Sequence, residues 1–129
     1  MKKTGKTGFQ ILVVDDEATV CKAIKMLLEF DGHKVETADG AESALAILEK
    51  SKFDLIITDY SMGEVKGDRL AIQIKKTHPK QPIIMATAFA EDFRNSSGPN
   101  MAVNAVINKP FSLMELREVV AQVMNPAAE

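Results

Sequence analysis

A chain of 129 residues is the size of one ordinary domain and can bury a sizeable hydrophobic core. Its net charge of -2 leaves no electrostatic footprint for direct binding of nucleic acid or an anionic membrane, and a single cysteine excludes an internal disulfide. No apolar run approaches the length of a membrane span and no signal-peptide core follows the basic start, so the expected compartment is the cytoplasm.

Taken in chain order, strand-like and helix-like segments alternate. The opening "MKKTGKTG" has three lysines and no apolar residue between Lys2 and Gly8, and it reads as a flexible basic tail over residues 1–8. The first strand, "ILVV" at 11–14, runs straight into Asp15, Asp16 and Glu17. A helix pattern follows at 18–30, where Val20, Ile24, Leu27 and Leu28 surround Cys21, so the thiol reads as small and buried rather than reactive. The second strand, "KVETA" at 34–38, alternates and suits a sheet edge. Asp39-Gly-Ala-Glu42 resembles a capping box, with Asp39 as the cap, before a helix at 41–50. The third strand, at 55–58, is closed by Asp59 in "LIITD", and a helix pattern at 66–77 comes next. The fourth, at 83–87, closes on Thr87 in "PIIMAT".

A helix belongs between the last two strands, but Ser96-Ser97-Gly98-Pro99 interrupts it. Proline in a helix interior costs ~3 kcal/mol and glycine ~1 kcal/mol, so this helix is expected to be short, displaced or mobile. The fifth strand, at 105–108, leads to Lys109 in "VINKPF". Ser112-Leu-Met-Glu115 is a standard capping box for a final helix at 112–124. Beyond Met124 only "NPAAE" remains, too little for an output domain.

The first, third and fourth strands are near-continuous apolar runs, as parallel strands covered on both faces must be. Five β/α repeats with short links imply an α/β fold, an open and doubly wound parallel sheet in a single domain. Ligands of such sheets bind at the carboxyl ends of the strands. That rule gathers Asp15, Asp16, Asp59, Thr87 and Lys109 on one rim. Singly, each has a bland alternative as a helix cap, a turn residue or a solvated charge. Together, they are hard to assign to turn chemistry.

Three neighbouring carboxylates repel unless a cation or protons intervene. Hard oxygen donors without clustered Cys or His point to Mg²⁺ rather than zinc, because His33 and His78 lie away from this rim in sequence. One acid would remain available as a nucleophile toward phosphorus, with Lys109 and Thr87 meeting the phosphoryl oxygens.

With "VVDDE", "DYSMGEVKG", "MATA" and "NKPF" in this order, the chain resembles the receiver domain of two-component response regulators from about Phe9 to Val123. The resemblance implies a flavodoxin-like five-stranded sheet of order 2-1-3-4-5. Its domain would span residues 9–125, with a short C-terminal tail at 126–129. It implies Asp59 as phosphoacceptor, Asp16 as a direct Mg²⁺ ligand, Asp15 acting through water and the Ser61 backbone carbonyl as a further ligand. Thr87 matches the switch hydroxyl, and Lys109 the phosphate-binding lysine, whose bond to Pro110 is cis in the family.

The implied partners are a sensor histidine kinase or phosphotransfer protein and an unknown downstream protein or output domain. Such a domain catalyses its own phosphorylation and dephosphorylation but turns over no external substrate. Three positions depart from the pattern. Met62-Gly63 stands where the family usually has Met-Pro, Val106 stands where Tyr or Phe is usual, and the helix between the last two strands is broken. Because Val106 has no ring to rotate, phosphorylation is expected to act mainly by ordering or moving residues 90–104. Phe89, two residues past Thr87, reads as a shield over the phosphoryl group or as a plain packing residue.

Other function classes fit less well. A flavodoxin-like cofactor site needs backbone N–H groups and hydroxyls after the first strand, where "DDEAT" presents carboxylates. A phosphatase with an aspartate nucleophile would carry Asp-x-Asp on one loop, whereas here the acids are adjacent and the nucleophile candidate is on the third strand. A non-phosphorylated, receiver-like interaction module would keep the acids only as relics.

Overall fold

Five strands and four helices alternate along the described residues: β1 (Gln10–Val14), α1 (Ala18–Phe30), β2 (Lys34–Ala38), α2 (Ala41–Lys50), β3 (Leu55–Asp59), α3 (Gly67–Thr77), β4 (Ile83–Thr87), β5 (Ala105–Asn108) and α4 (Leu113–Met124). The structure, a computed structural model, describes residues 8–62, 65–91 and 102–125. The expectations for the Met62-Gly63 step, for the broken helix at 96–99 and most of the segment 90–104, and for the tails apart from Gly8 concern residues outside this set.

The strands form one parallel sheet in the order β2-β1-β3-β4-β5. Every residue of β3 and β4 is buried, while β2, at the edge, buries only Val35 and Ala38. Alternate side chains on a strand face opposite ways, and here they feed two cores. Leu12, Val14, Ile56 and Met85 pack with Ala44 and Leu48 of α2 and with Leu70, Ala71 and Ile74 of α3. Ile11, Val13, Leu55, Ile57 and Ile84 pack with Ile24 and Leu28 of α1 and with Leu116 and Val120 of α4. The sheet is thus covered on both faces, the arrangement that continuous apolar strands require.

Helix ends follow the sequence with one correction. Ser112 and Glu115 form the reciprocal capping box of α4, with bonds of 3.0 and 2.8 Å. Asp39 does not cap α2. The cap position falls on Gly40, which has no side chain to offer, and Glu42 sits one residue too early to complete a box. The Asp39 carboxylate instead accepts the Ser43 hydroxyl at 2.8 Å, and the Ser43 oxygen accepts the Asp39 N–H at 3.2 Å.

At the amino end of the sheet, Arg117 on α4 grips Asp31 after α1 with two parallel bonds of 2.8 and 3.0 Å. His33 stacks on Phe9 with ring centroids 5.5 Å apart, and its Nδ1 accepts the Phe9 N–H. A cavity of about 230 Å³ opens there, with Phe9, His33, Arg117 and Asn125 in its walls.

Candidate functional site

The register decides which side chains meet at the opposite end. Val14 pairs with Ala38 and Thr58, Asp59 with Ala86, and Thr87 with Asn108. The next backbone bonds extend these ladders past the strands. Asp15 N–H donates to Ala38, Tyr60 N–H to Ala86 and Lys109 N–H to Thr87, at 3.1, 2.8 and 2.8 Å. All five rim residues expected from the sequence are therefore anchored at the carboxyl ends of β1, β3, β4 and β5.

The side chains of Asp15, Asp16, Asp59 and Lys109 converge. Lys109 Nζ lies 3.0 Å from Asp59 Oδ1 and 3.4 Å from Asp15 Oδ2. Asp15, Asp16 and Asp59 each bring a carboxylate oxygen into a group whose atoms all lie within 4.8 Å of one another. Asp15 and Asp59 are buried and Asp16 is exposed, so the cluster is open to solvent on one side. Asp15 is fixed twice, because its Oδ1 also accepts the Glu17 N–H at 2.9 Å.

In this arrangement burial and like charge act together on Asp59, against the pull of Lys109. Burial pushes the Asp59 carboxyl above its ordinary range; the Lys109 hydrogen bond pulls the other way, and the charges of Asp15 and Asp16 add to the upward push. Burial works against the Lys109 ammonium, but Asp59 and Asp15 outweigh it and hold its pKa up, so the lysine stays charged. One cation thus faces three acids, and the site carries uncompensated negative charge in a partly dry place. Three hard oxygen donors with no Cys or His beside them match a Mg²⁺ site in donor chemistry.

Thr87 is buried, and its hydroxyl oxygen accepts the Phe89 N–H at 3.1 Å. An oxygen that accepts in this way still has its proton to give to another group. Phe89 itself is 68% exposed, which overturns its reading as a plain packing residue. Ser61 stands on the loop after β3, which the Gly67 N–H closes with a 2.8 Å bond to the Tyr60 carbonyl. The Lys109–Pro110 bond is cis. Val106 is half-buried and packs on the α2/α3 core. His33 and His78 bond elsewhere, to Phe9 and Thr77. Cys21 is buried, with burial first and the Asp15 charge second pushing its thiol up, as an unreactive thiol should be.

Two contacts at the rim escape sequence reasoning. The Asn108 side chain accepts the Ala90 N–H at 3.2 Å and donates to the Lys109 carbonyl at 3.4 Å. It therefore ties the turn after Thr87 to the strand that carries Lys109. In the sequence it is only the last residue of a short strand; its place directly before the lysine is the one available signal. The second is at Gly67, the last residue of "DYSMGEVKG", whose close approach to β3 the motif alone does not reveal.

The model of the response regulator receiver domain family matches residues 11–121, nearly the whole described chain. The chain belongs to the response regulator receiver domain family. Among its relatives, the receiver is 34% identical over 114 residues to the regulatory protein VanRc of Enterococcus gallinarum, covering 88% of this chain and 48% of that one. It is 33% identical to the alkaline phosphatase synthesis transcriptional regulatory protein PhoP of Bacillus subtilis, again with 89% and 48% covered. The receiver thus spans about half the length of these relatives.

Solved structures agree on the fold. The chemotaxis response regulator CheY4 of Vibrio cholerae superposes with a TM-score of 0.83 at 27% identity, covering 91% of the receiver and 99% of that chain. The response regulator TrrA of Thermotoga maritima, solved in complex with Mg²⁺ and BeF, gives 0.80 at 32% identity, covering 88% and 97%. Among the described residues no helix is long and apolar enough to cross a membrane.

Proposed function

We propose that this receiver takes a phosphoryl group onto Asp59 from a sensor histidine kinase or phosphotransfer protein, in a Mg²⁺-dependent reaction. The observation that carries the reading is the Lys109 ammonium 3.0 Å from Asp59, beside a cluster of three carboxylates. Asp15, Asp16, Asp59 and the Ser61 carbonyl would hold Mg²⁺, with Asp15 acting through water. The cation supplies charge neutralisation between the acids and an incoming phosphoryl group.

The chain's own groups then divide the work. An Asp59 carboxylate oxygen attacks phosphorus and forms an O–P bond as the donor's P–N bond breaks, and the donor imidazole keeps the electron pair of that bond. Lys109 meets the negative charge on the phosphoryl oxygens, and the Thr87 hydroxyl donates its proton in a hydrogen bond to one of them. Aspartyl phosphate replaces one negative charge by about two and adds acceptor oxygens. The new charge draws Thr87 and Lys109 toward Asp59 and so favours one of two conformations of the surface around β5 and α4. A downstream protein or an output domain reads that surface.

Intact mass after treatment with acetyl phosphate plus Mg²⁺ tests the reading. Wild type should gain one phosphoryl group, and Asp59→Asn or removal of Mg²⁺ should abolish the gain. Equal labelling of Asp59→Asn would overturn the assignment. A wild type that takes no label would leave an interaction module that works without phosphorylation.

A further inference from the structure

Gly67 opens α3 and is buried against the end of β3. A Cβ built on it would overlap the Asp59 carbonyl oxygen and stand 2.9 Å from Met85 Sδ and 3.0 Å from Tyr60 Cα. The two backbone neighbours cannot give way easily. Asp59 and Tyr60 are held to Ala86 by the β3–β4 ladder and its extension, and Met85 is fully buried in β4. Gly67 does not have the positive φ seen at Gly8 and Gly32, so space rather than backbone conformation demands a glycine. Gly40 gives the contrast, because a Cβ placed there, just before α2, would meet nothing within 4 Å.

We propose that Gly67 is a positioning residue for Asp59 and for the loop that carries Ser61. Its missing side chain lets α3 start directly on the Asp59 carbonyl, and its N–H closes the loop on the Tyr60 carbonyl at 2.8 Å. The Asp59 carboxylate and the Ser61 carbonyl are thereby held in one fixed relation. A Cβ would push either the end of β3 or the start of α3 outward. The carboxylate would then shift relative to Lys109, Asp15 and Asp16. The inference rests on the Mg²⁺ and Asp59 reading above.

Three variants test it: Gly67→Ala, the double variant Gly67→Ala/Met85→Ala, and Gly40→Ala as a control. The double variant removes the thioether contact but leaves the overlap with the Asp59 carbonyl. Groups that orient metal ligands typically contribute about 10–100-fold to affinity, so calorimetric titration should show Mg²⁺ binding to Gly67→Ala weakened at least about tenfold. The double variant should not recover the Mg²⁺ affinity, and Gly40→Ala should bind as wild type does. In wild type, added Mg²⁺ should shift the Gly67 amide resonance along with those of Asp59 and Ser61, a measurement that needs no variant to fold.

Unaltered Mg²⁺ binding in Gly67→Ala, recovered Mg²⁺ affinity in the double variant, or an unmoved Gly67 amide would each overturn the proposal. A wild type that binds no Mg²⁺ and takes no phosphoryl group would overturn the site reading itself, which is a different result.

Discussion

Deleting the Lys109 charge should strand two buried carboxylates. Lys109→Met keeps most of the aliphatic stem and removes the ammonium that lies 3.0 Å from Asp59 and 3.4 Å from Asp15. At an effective dielectric of about 20, each contact represents roughly 5 kcal/mol of Coulomb energy. Desolvation cancels much of it, and removing one partner of a buried pair costs about 3–5 kcal/mol. The lysine side chain is 24% exposed against 4% and 7% for the two acids. Water can therefore replace part of the lost ammonium, which lowers the expected cost to roughly 2–3 kcal/mol.

A urea m-value near 2 kcal/mol/M, as is typical of small proteins, turns that into a midpoint about 1–1.5 M lower in metal-free buffer. Two further measurements isolate the cause. Asp59→Asn in the Lys109→Met background should restore most of the loss, and millimolar Mg²⁺ should do the same with Asp59 intact. A metal-free Lys109→Met midpoint equal to wild type, or a double variant no more stable than the single one, would show that the ammonium does not hold these acids in place.

Three other outcomes are expected. Ser112→Ala should lose about 1 kcal/mol of stability by removing the α4 cap, read as a lower urea midpoint; an unchanged midpoint would contradict the capping geometry. Burial, partly offset by the Asp31 charge, holds His33 below the ordinary histidine value of 6.5. The unfolded chain then binds the proton more readily, so this contribution to stability is present above about pH 6.5 and is lost as pH falls through the folded-state value. The midpoint difference between wild type and His33→Gln should shrink on acidification, and a constant difference would refute it. Phe89→Glu should speed loss of phosphate from Asp59, because a carboxylate can orient attacking water where the phenyl ring cannot; an equal or slower rate would contradict that role.

Much of the fold was legible because its strands are buried on both faces. "ILVV", "LIIT" and "IIMAT" have no polar face to misplace, and the sheet follows from their alternation with helix patterns. The rim was legible for a related reason. Asp15, Asp59, Thr87 and Lys109 are each within a residue of a strand end, and a parallel sheet delivers such positions to one side. The cap at Asp39 was misread because one residue of phase decides whether a side chain or a bare Gly40 occupies the cap. The Asp31–Arg117 pair spans 86 positions of sequence, and nothing local to either residue announces the other. Asn108 acts through its side-chain bonds to Ala90 and Lys109, and Gly67 through the closeness of α3 to β3, and both appear only when these elements are packed together.

The cavity between α1 and α4 bears on how the molecule could be wired to anything else. Phe9, entering β1, and Asn125, leaving α4, stand in the walls of the same hollow. Phe9 and Asn125 therefore lie at the pole opposite Asp59, about 17 Å away along five residues of strand. A module joined at either end would be attached at the pole away from Asp59. Between that pole and Asp59 lie α1 and α4, which the Arg117 fork ties together where α1 ends.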